Sequence, residues 1–286
     1  MHHKPTLTMP RAALGLKEWR TVYFAAFSII IGDLMSSKKE LRSKACSEGF
    51  FREDFDEKSP YWDYRVDNYA GFELADSVLR MYTGPTEALY YSNAEIADGV
   101  FDDLPWRFKN FKARVRLLGN HYGSAGWGFW NHTMVTDVCQ PIWFIYLRCR
   151  GPYPLQGFFA QVGNGLSPLI TYSGTGKLRL AAALGNLFER LVGVRIYSGK
   201  PAMPELRLEE WHEYEIEWRE KVKFFIDGEQ VAEIPFKGGD ARGRADAWID
   251  NAVFTWSSKD PGRVYRHATQ ENRKKSFLEI DYIEVY

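Results

Sequence analysis

Short runs in which apolar and polar residues alternate recur along the chain after about residue 48, and turn residues separate them. Phe111 to Leu118 and Trp211 to Trp218 place apolar side chains at every second position, which is the period of a half-buried strand. Val222 to Ile226 leads into Asp227-Gly228, a strong signal for a tight hairpin, before a further apolar run begins. This pattern predicts an all-β sandwich.

The amino-acid composition favours β-strands and limits the classes of binding partner. Aromatic residues make up 16 % of the 286 residues, which favours β-structure and flat stacking surfaces. Thirty-seven Lys and Arg balance 37 Asp and Glu, which argues against nucleic acid and against a strongly anionic membrane surface as the main partner. We therefore expect a neutral ligand. The three cysteines have no CxxC spacing, so neither a zinc nor a redox motif is indicated.

The N-terminal region differs from the rest of the chain. An apolar segment from Thr21 to Gly32 resembles the core of a signal peptide, but it lacks a clean cleavage site and is short for a membrane span. The alternative is a structural helix, because apolar residues recur there at steps of three and four. We predict a helical extension over residues 1–47 that packs on the sandwich or on a second subunit, a sandwich domain over residues 48–286, and a cytoplasmic rather than secreted protein.

Several blocks, in order, resemble the strands of one enzyme family. They are Glu53-Asp-Phe55 with Trp62, Phe111 to Arg116, Gly126-Trp-Gly-Phe-Trp-Asn131, Trp211 to Gly228, and Leu278 to Tyr286. Together they resemble glycoside hydrolase family 16. The resemblance implies a concanavalin A-like jelly roll of two curved antiparallel sheets, with a polysaccharide held in a concave groove.

The catalytic motif implied by that resemblance is misplaced. Retaining enzymes of the family carry ExDxxE or ExDxE on one strand, because two carboxyls about 5 to 5.5 Å apart are needed. The string occurs as Glu279-Ile-Asp-Tyr-Ile-Glu284, two residues before the C-terminus, where the family has its closing strand. Gln140 to Arg150 occupies the expected position and contains no acid. Standard double-displacement hydrolysis is therefore not expected.

Other residues are candidates for catalysis. Asp250 is the best single acid, because Trp248 to Trp256 is predicted as one concave strand with Asp250 on the groove face. His132 follows Asn131 and could work with Asp137 as an acid/base pair near neutral pH. Wall or loop positions without a catalytic role remain the alternative for both.

Indoles and amides are the candidate sugar-binding groups. Sugars stack their C–H faces on indole rings, while amide, carboxylate and guanidinium groups bind the hydroxyls. The predicted substrate-binding residues are Trp130, Asn131, Trp143, Arg148, Trp248, Asn251 and Trp256. Core packing is the alternative for about half of the indoles.

Two further predictions concern a calcium ion and two glycine-rich turns. No cofactor is required, but the resemblance implies that a structural calcium ion could use Asp281 on the closing strand. The glycine pairs at Gly163-Asn-Gly165 and Gly174-Thr-Gly176 are predicted as hairpin turns rather than phosphate-binding loops. The functions that remain open are a carbohydrate-active enzyme, a non-catalytic lectin-like module, and an enzyme acting on another hydrophobic small molecule.

Overall fold

Two packed β-sheets form the body of the protein. The computed structural model describes residues 38–99, 103–131, 140–148, 156–172, 175–257 and 260–286. In spatial order the first sheet contains β14 (Glu229–Pro235), β13 (Lys221–Ile226), β12 (His212–Glu217), β6 (Asn110–Leu118), β18 (Ser276–Val285), β4 (Val78–Thr83) and β3 (Ala70–Ala75), and β1 (Phe51–Glu53) also pairs with β18.

The second sheet also has eight strands. Its order is β11 (Arg195–Ile196), β10 (Gly165–Thr171), β9 (Gly157–Val162), β8 (Ile142–Arg148), β7 (Gly123–Trp130), β15 (Arg244–Asp250), β5 (Asn93–Ala97) and β2 (Asp63–Asp67). All the pairs are antiparallel except β10 with β11. The predicted jelly-roll sandwich is confirmed.

Aromatic side chains from facing strands fill the space between the sheets. Trp127 on β7 contacts Tyr214 on β12 with ring centroids 4.7 Å apart, and Phe144 on β8 meets Phe224 on β13 at 5.2 Å. All four residues are fully or almost fully buried. Alternate residues of the same strands therefore point away from the core, on the outer face of each sheet.

The clearest strand predictions are correct in detail. On β6, Phe111, Ala113, Val115 and Leu117 are buried while the residues between them are more exposed. The turn between β13 and β14 places Asp227 at φ 50° and Gly228 at φ 80°. Positive φ at both central positions is the geometry of the type I′ hairpin that Asp-Gly favours.

Two helices interrupt the sheets where a hairpin turn was predicted. Thr175–Leu184 forms α2 and Asn186–Val192 forms α3, so the prediction of a hairpin turn at Gly174 to Gly176 is wrong. The residues after Gly176 are mostly Leu, Ala, Arg and Lys, which are strong helix formers. The turn predicted at Gly163 to Gly165 does join β9 to β10.

The predicted single strand from Trp248 to Trp256 is also wrong, because the chain leaves the second sheet at Asn251. Its side-chain Oδ1 accepts a hydrogen bond from the Ser92 amide at 2.8 Å, and its Nδ2 donates to the carbonyls of Tyr90 and Thr269. These bonds fix the backbone between β15 and the next strand. Beyond it, β16 (Ala252–Ser257) pairs with β17 (Asp260–Ala268) in a separate two-stranded sheet.

The described part of the N-terminal extension packs on the sandwich. Residues 38–48 form helix α1. Ala45 joins the main core, and the Arg42 guanidinium donates to the Tyr61 carbonyl and pairs with Asp63 at 2.7 Å. Thr21 to Gly32, including the predicted subunit contact, lies outside the described residues. Among the described helices, none has the length and apolar character needed to cross a bilayer.

Candidate functional site

Three indoles meet on the outer face of the second sheet. Trp130, Trp143 and Trp248 come from β7, β8 and β15, which are adjacent strands. The rings of Trp130 and Trp143 are stacked at 4.7 Å with 10° between their planes, and Trp143 contacts Trp248 at 4.4 Å. This indole cluster points away from the main core, because the alternate residue Trp127 is buried between the sheets.

Two glycines on β7 make room for the indoles. A Cβ on Gly126 would lie 2.3 Å from Cη2 of Trp248 and 2.7 Å from the Phe144 carbonyl oxygen. A Cβ on Gly128 would lie 2.7 Å from Cα of Trp143. Real Cβ atoms do not approach other heavy atoms so closely, so the Gly-Trp-Gly-Phe-Trp sequence lets the rings lie against the strand backbone.

Hydrogen bonds orient two of the rings. The Trp143 Nε1 donates to Gln161 Oε1 at 2.8 Å, and the Trp248 Nε1 donates to Ser124 Oγ at 3.1 Å. Trp143 and Trp248 are only 7 % and 8 % exposed, while Trp130 is half-buried. Trp130 is therefore the member of the cluster that offers the most ring surface to a ligand.

Two carboxyls that the sequence analysis missed lie beside the indoles. Glu95 on β5 pairs in register with Trp248, and it lies within hydrogen-bonding reach of Asp246 on β15. We call Glu95 and Asp246 the acid pair. Burial, and then the negative charge of Glu95, raise the pKa of Asp246 well above its ordinary range, against a lowering by Arg244. The Asp246 carboxyl therefore keeps its proton to a higher pH than an isolated Asp does.

One oxygen of the acid pair is buried without a hydrogen-bond donor in the described residues. Asn93 Nδ2 donates to Glu95 Oε2 at 2.9 Å, and Arg65 Nη1 lies 3.8 Å from the same oxygen. In the described part of the chain, no N–H or O–H donor meets the buried Oδ2 of Asp246. No motif marks Asn-Ala-Glu-Ile-Ala in the sequence, so the pairing of β5 with β15 was the missing information.

Asp250, the best acid on sequence grounds, is a buried hydrogen-bond acceptor. Its Oδ1 accepts from Ser124 Oγ at 2.6 Å and from the Ala252 amide at 3.0 Å, and its Oδ2 accepts from Tyr91 Oη at 3.1 Å. The side chain is fully buried at the end of β15. This bonding favours a structural role that joins β15 to β7 and disfavours contact with a ligand.

The other predicted binding residues lie apart from the indole cluster. Asn131 is buried and its Oδ1 accepts from the Gln140 amide at 2.7 Å, while Asn251 fixes the chain as described above. Arg148 donates to Asn120 Oδ1 at 2.6 Å and lies over the ring of Tyr122 at 4.6 Å. His132 and Asp137 lie outside the described residues. So does the Trp256 side chain, although its backbone belongs to β16.

The ExDxxE string lies on the outer face of the other sheet. The Glu279 carboxylate binds Arg80 at 2.8 Å and Arg116 at 2.6 Å, and Glu284 pairs with Arg52. The register of β18 against β6 shifts between Ile280 and Tyr282. This bulge brings Glu284 to the same face as Glu279, which strict alternation would not do.

Asp281 does not fit a calcium ion well. Its carboxylate accepts a hydrogen bond from Arg114 Nη1 at 2.8 Å, so a cation already neutralises it. Within the residues that the structure describes, no three His, Cys, Asp or Glu side chains are grouped as metal ligands. Calcium binding stays a prediction, which the arginine partner disfavours.

The similarity of this chain to known proteins lies in its fold. No protein-family model matches the chain, and no curated protein sequence matches it. A structure from work on endo-acting O-glycanases of the human gut microbiota matches 82 % of this chain and 97 % of its own, at 13 % identity and a TM-score of 0.50. Two further structures are similar at 12 % identity.

The first of the two is the kappa-carrageenase from Pseudoalteromonas carrageenovora, solved with an oligotetrasaccharide of kappa-carrageenan. It covers 82 % of this chain and 92 % of its own at a TM-score of 0.47. The second is a prokaryotic beta-1,3-1,4-glucanase (lichenase) derived from a mouse hindgut metagenome. It covers 82 % of this chain and 98 % of its own at a TM-score of 0.47. At these identities the likeness shows the fold alone. The two sheets of this chain and the TM-score of 0.50 to the first structure therefore show the concanavalin A-like jelly-roll fold that the sequence predicts.

Proposed function

We propose that the protein binds a neutral glycan on the outer face of its second sheet, in the concave groove that the fold resemblance implies. The observation that carries this proposal is the contact of three indoles from adjacent strands beside the acid pair. Indole faces attract the C–H face of a sugar ring, and carboxyl and amide groups bind its hydroxyls. The site thus combines both kinds of contact that a sugar needs.

The acid pair suits hydroxyl groups. A protonated carboxyl can donate one hydrogen bond and accept others, whereas a carboxylate only accepts them. Asp246 Oδ2 is buried and meets no donor in the described residues, so a sugar hydroxyl that reaches it would donate a hydrogen bond to it. Filling this acceptor removes the cost of burying it unpaired, about 1 to 3 kcal/mol. A sulfated or carboxylated sugar would instead meet the negative charge of the pair.

Binding without hydrolysis is the function that this geometry supports best. The strand that follows the Trp-rich strand presents Trp143, Ile145 and Leu147 on its outer face, where the resemblance implies catalytic acids. The acid pair is in mutual hydrogen-bonding contact, which is closer than the separation that retaining or inverting glycosidases use.

A panel of neutral and anionic polysaccharides tests the proposal, with binding measured by calorimetry on the full chain. Replacing the half-buried Trp130 by Ala should weaken binding of the best ligand about tenfold, because a lost stacking contact is worth about 1 kcal/mol. Trp211→Ala is the matched control, since Trp211 is also half-buried but lies over Arg114 and Arg116 on the other sheet. If no glycan binds, or if both variants bind equally well, the proposal is wrong.

Hydrolysis is a second candidate, which the raised pKa of Asp246 beside Glu95 and the indoles favours. A protonated buried carboxyl is a suitable general acid. Reducing-end release would be measured in the same samples, with Asp246→Asn compared against wild type. Release that Asp246→Asn abolishes while binding changes less than threefold would establish the acid pair as catalytic. Release that persists in Asp246→Asn but is lost in Asp250→Asn would restore Asp250 as the acid.

A further inference from the structure

The two helices between β10 and β11 expose four leucines. Leu180 and Leu184 on α2, and Leu187 and Leu191 on α3, have exposed fractions between 42 % and 70 %. They follow one another at steps of four, three and four residues. We call these four side chains the leucine face. Leu180 and Leu184 lie one turn apart on α2, Leu187 and Leu191 lie one turn apart on α3, and Gly185 at φ 46° separates the two helices. Single exposed leucines are common on protein surfaces, whereas four on two consecutive short helices are not.

The leucine face is separate from the apolar side that holds the helices to the protein. Leu178 and Ala181 of α2 are buried in the same cluster as Ile196 of β11. A Cβ added at Gly176 or Gly193 would meet no atom within 4 Å, so the outer ends of the helical pair lie in open space. The helices therefore pack along one side on the outer face of the second sheet, in one cluster with Trp143 and Trp248, and are exposed along the other side.

The charge around the leucine face is positive. Arg179 and Arg190 are exposed on the same two helices. Glu189 is the one acid in α2 and α3, and it pairs with Arg195 at 3.3 Å and with Lys237 at 3.5 Å. The acid is thus neutralised by cations from outside the helices. Although the chain has no net charge, this face carries a local excess of arginine.

A second copy of the chain is a poor occupant for this face. Burying a whole leucine side chain removes roughly 100 Å² of apolar surface from water, as its transfer free energy and the coefficient of about 25 cal/mol per Å² imply. The four partly exposed leucines therefore offer roughly 200 to 300 Å² of apolar surface in all. A stable dimer buries about 800 Å² on each partner. A two-fold axis through the face would also bring the arginines of both copies together without a free carboxylate between them.

We propose that the leucine face docks onto a lipid bilayer whose headgroups carry negative charge. Exposed leucines on a helical pair insert at the boundary between headgroups and acyl chains, and a fluid bilayer adapts to the shape of such an apolar surface. Arg179 and Arg190 lie at the level of the anionic headgroups and are attracted by them. The four leucines are exposed, whereas Leu178 and Ala181 on the other side of α2 are buried in one cluster with Trp143 and Trp248.

Vesicle co-sedimentation of the full chain tests the proposal. The probes are vesicles of phosphatidylcholine alone and of phosphatidylcholine with an equal part of phosphatidylserine. The Leu187→Ser/Leu191→Ser variant removes two exposed side chains that make no core contact. The matched control is Leu89→Ser/Tyr90→Ser, at two positions that are 65 % and 60 % exposed elsewhere on the surface. Arg179→Gln/Arg190→Gln tests the contribution of charge.

The expected result is binding to the phosphatidylserine vesicles, at least tenfold weaker in the leucine variant and unchanged in the control. The arginine variant and raised salt should weaken it severalfold. Absence of binding by wild type, or binding that the leucine variant retains, overturns the proposal. Equal binding to both vesicle types refutes the role of the anionic headgroups. A dimer in light scattering that the leucine variant dissociates would assign the face to a second copy instead.

Discussion

Asp98 should make the stability of this protein depend on pH between about 4 and 7. Its side chain is completely buried just after β5. The carboxylate accepts hydrogen bonds from the Ala245 amide at 2.7 Å, from Tyr61 Oη at 3.0 Å and from the Trp106 indole. Burial raises the pKa of Asp98 to about 7, although these donors and Arg42 lower it.

The sign follows from the protons bound in each state. The unfolded chain releases this proton near the ordinary pKa of 3.8, whereas the folded protein holds it up to a pKa of about 7. The stability from this group is therefore complete below about pH 4 and is lost as the pH rises to 7. At about 1.4 kcal/mol for each unit, the free energy of unfolding falls by about 4 kcal/mol over this range.

Replacing Asp98 by Asn removes the titration and keeps the shape. The amide oxygen can still accept from Ala245, but the amide NH2 then faces the Trp106 N–H, and two donors in contact cost about 1 to 3 kcal/mol at any pH. The variant should thus be less stable than wild type at pH 4. Because the free energy of unfolding of wild type falls by about 4 kcal/mol between pH 4 and pH 7, the variant should be as stable as wild type or more stable at pH 7.

Guanidinium denaturation followed by tryptophan fluorescence measures this difference at each pH. Other titrating groups are the same in both proteins, so their effects cancel in the comparison. Asp240→Asn is the control, because the Asp240 side chain is 95 % exposed, and its gap to wild type should not change with pH. A gap between wild type and Asp98→Asn that stays constant within about 1 kcal/mol from pH 4 to 7 would refute the reasoning.

Two further predictions use the same assay. Burial lowers the pKa of His121 from 6.5 to about 4, so its neutral form stabilises the fold above pH 6.5. About 3 kcal/mol of the free energy of unfolding is lost as the pH falls to 4. His121→Gln should remove that loss, and a variant whose stability falls between pH 6.5 and 4 as much as that of wild type would contradict the prediction. Gly126→Ala should destabilise by about 1 to 3 kcal/mol and alter the emission of Trp248, because the new Cβ meets that indole and the Phe144 carbonyl. Gly176→Ala is its control: it lies in open space on α2, so it should be neutral or stabilising.

Local patterns were sufficient for much of the sandwich. Alternation over Phe111 to Leu118 identified β6 and its buried face, and Asp227-Gly228 identified the hairpin that follows β13. Both signals depend on neighbouring residues alone, since side-chain alternation and positive φ are properties of the local backbone. The ordered blocks then indicated the jelly roll, which the structure confirms.

Errors arose where contacts distant in the sequence changed the local outcome. Trp248 to Trp256 alternates like one strand, yet the Asn251 side chain binds Ser92, 159 residues away, and ends β15. Gly174 to Gly176 has the composition of a turn, but the residues that follow it pack as a helix beside β11. Neither contact is visible in a short window of sequence.

The candidate site likewise contains residues that local patterns identified and residues that they did not. Trp130, Trp143 and Trp248 were expected to neighbour one another, because each falls on a strand that the pattern identified. Asp250 was chosen for its position on the predicted groove face, but Ser124, Tyr91 and the Ala252 amide occupy its oxygens. Which acid remains available to a ligand depends on where donors lie in three dimensions.

The sequence by itself determined the β-sandwich, its strand faces and the aromatic character of one outer surface, because strand periodicity and turn chemistry act over a few residues. Tertiary structure alone decided that Glu95 lies beside the buried Asp246, whose pKa is raised, and that Glu279 is held by two arginines. Strand order decides which side chains meet, since the pairing of β5 with β15 brings together Glu95 and Asp246, which are far apart along the chain. Burial then decides which of those groups keep a proton, and neither quantity is a property of a local segment.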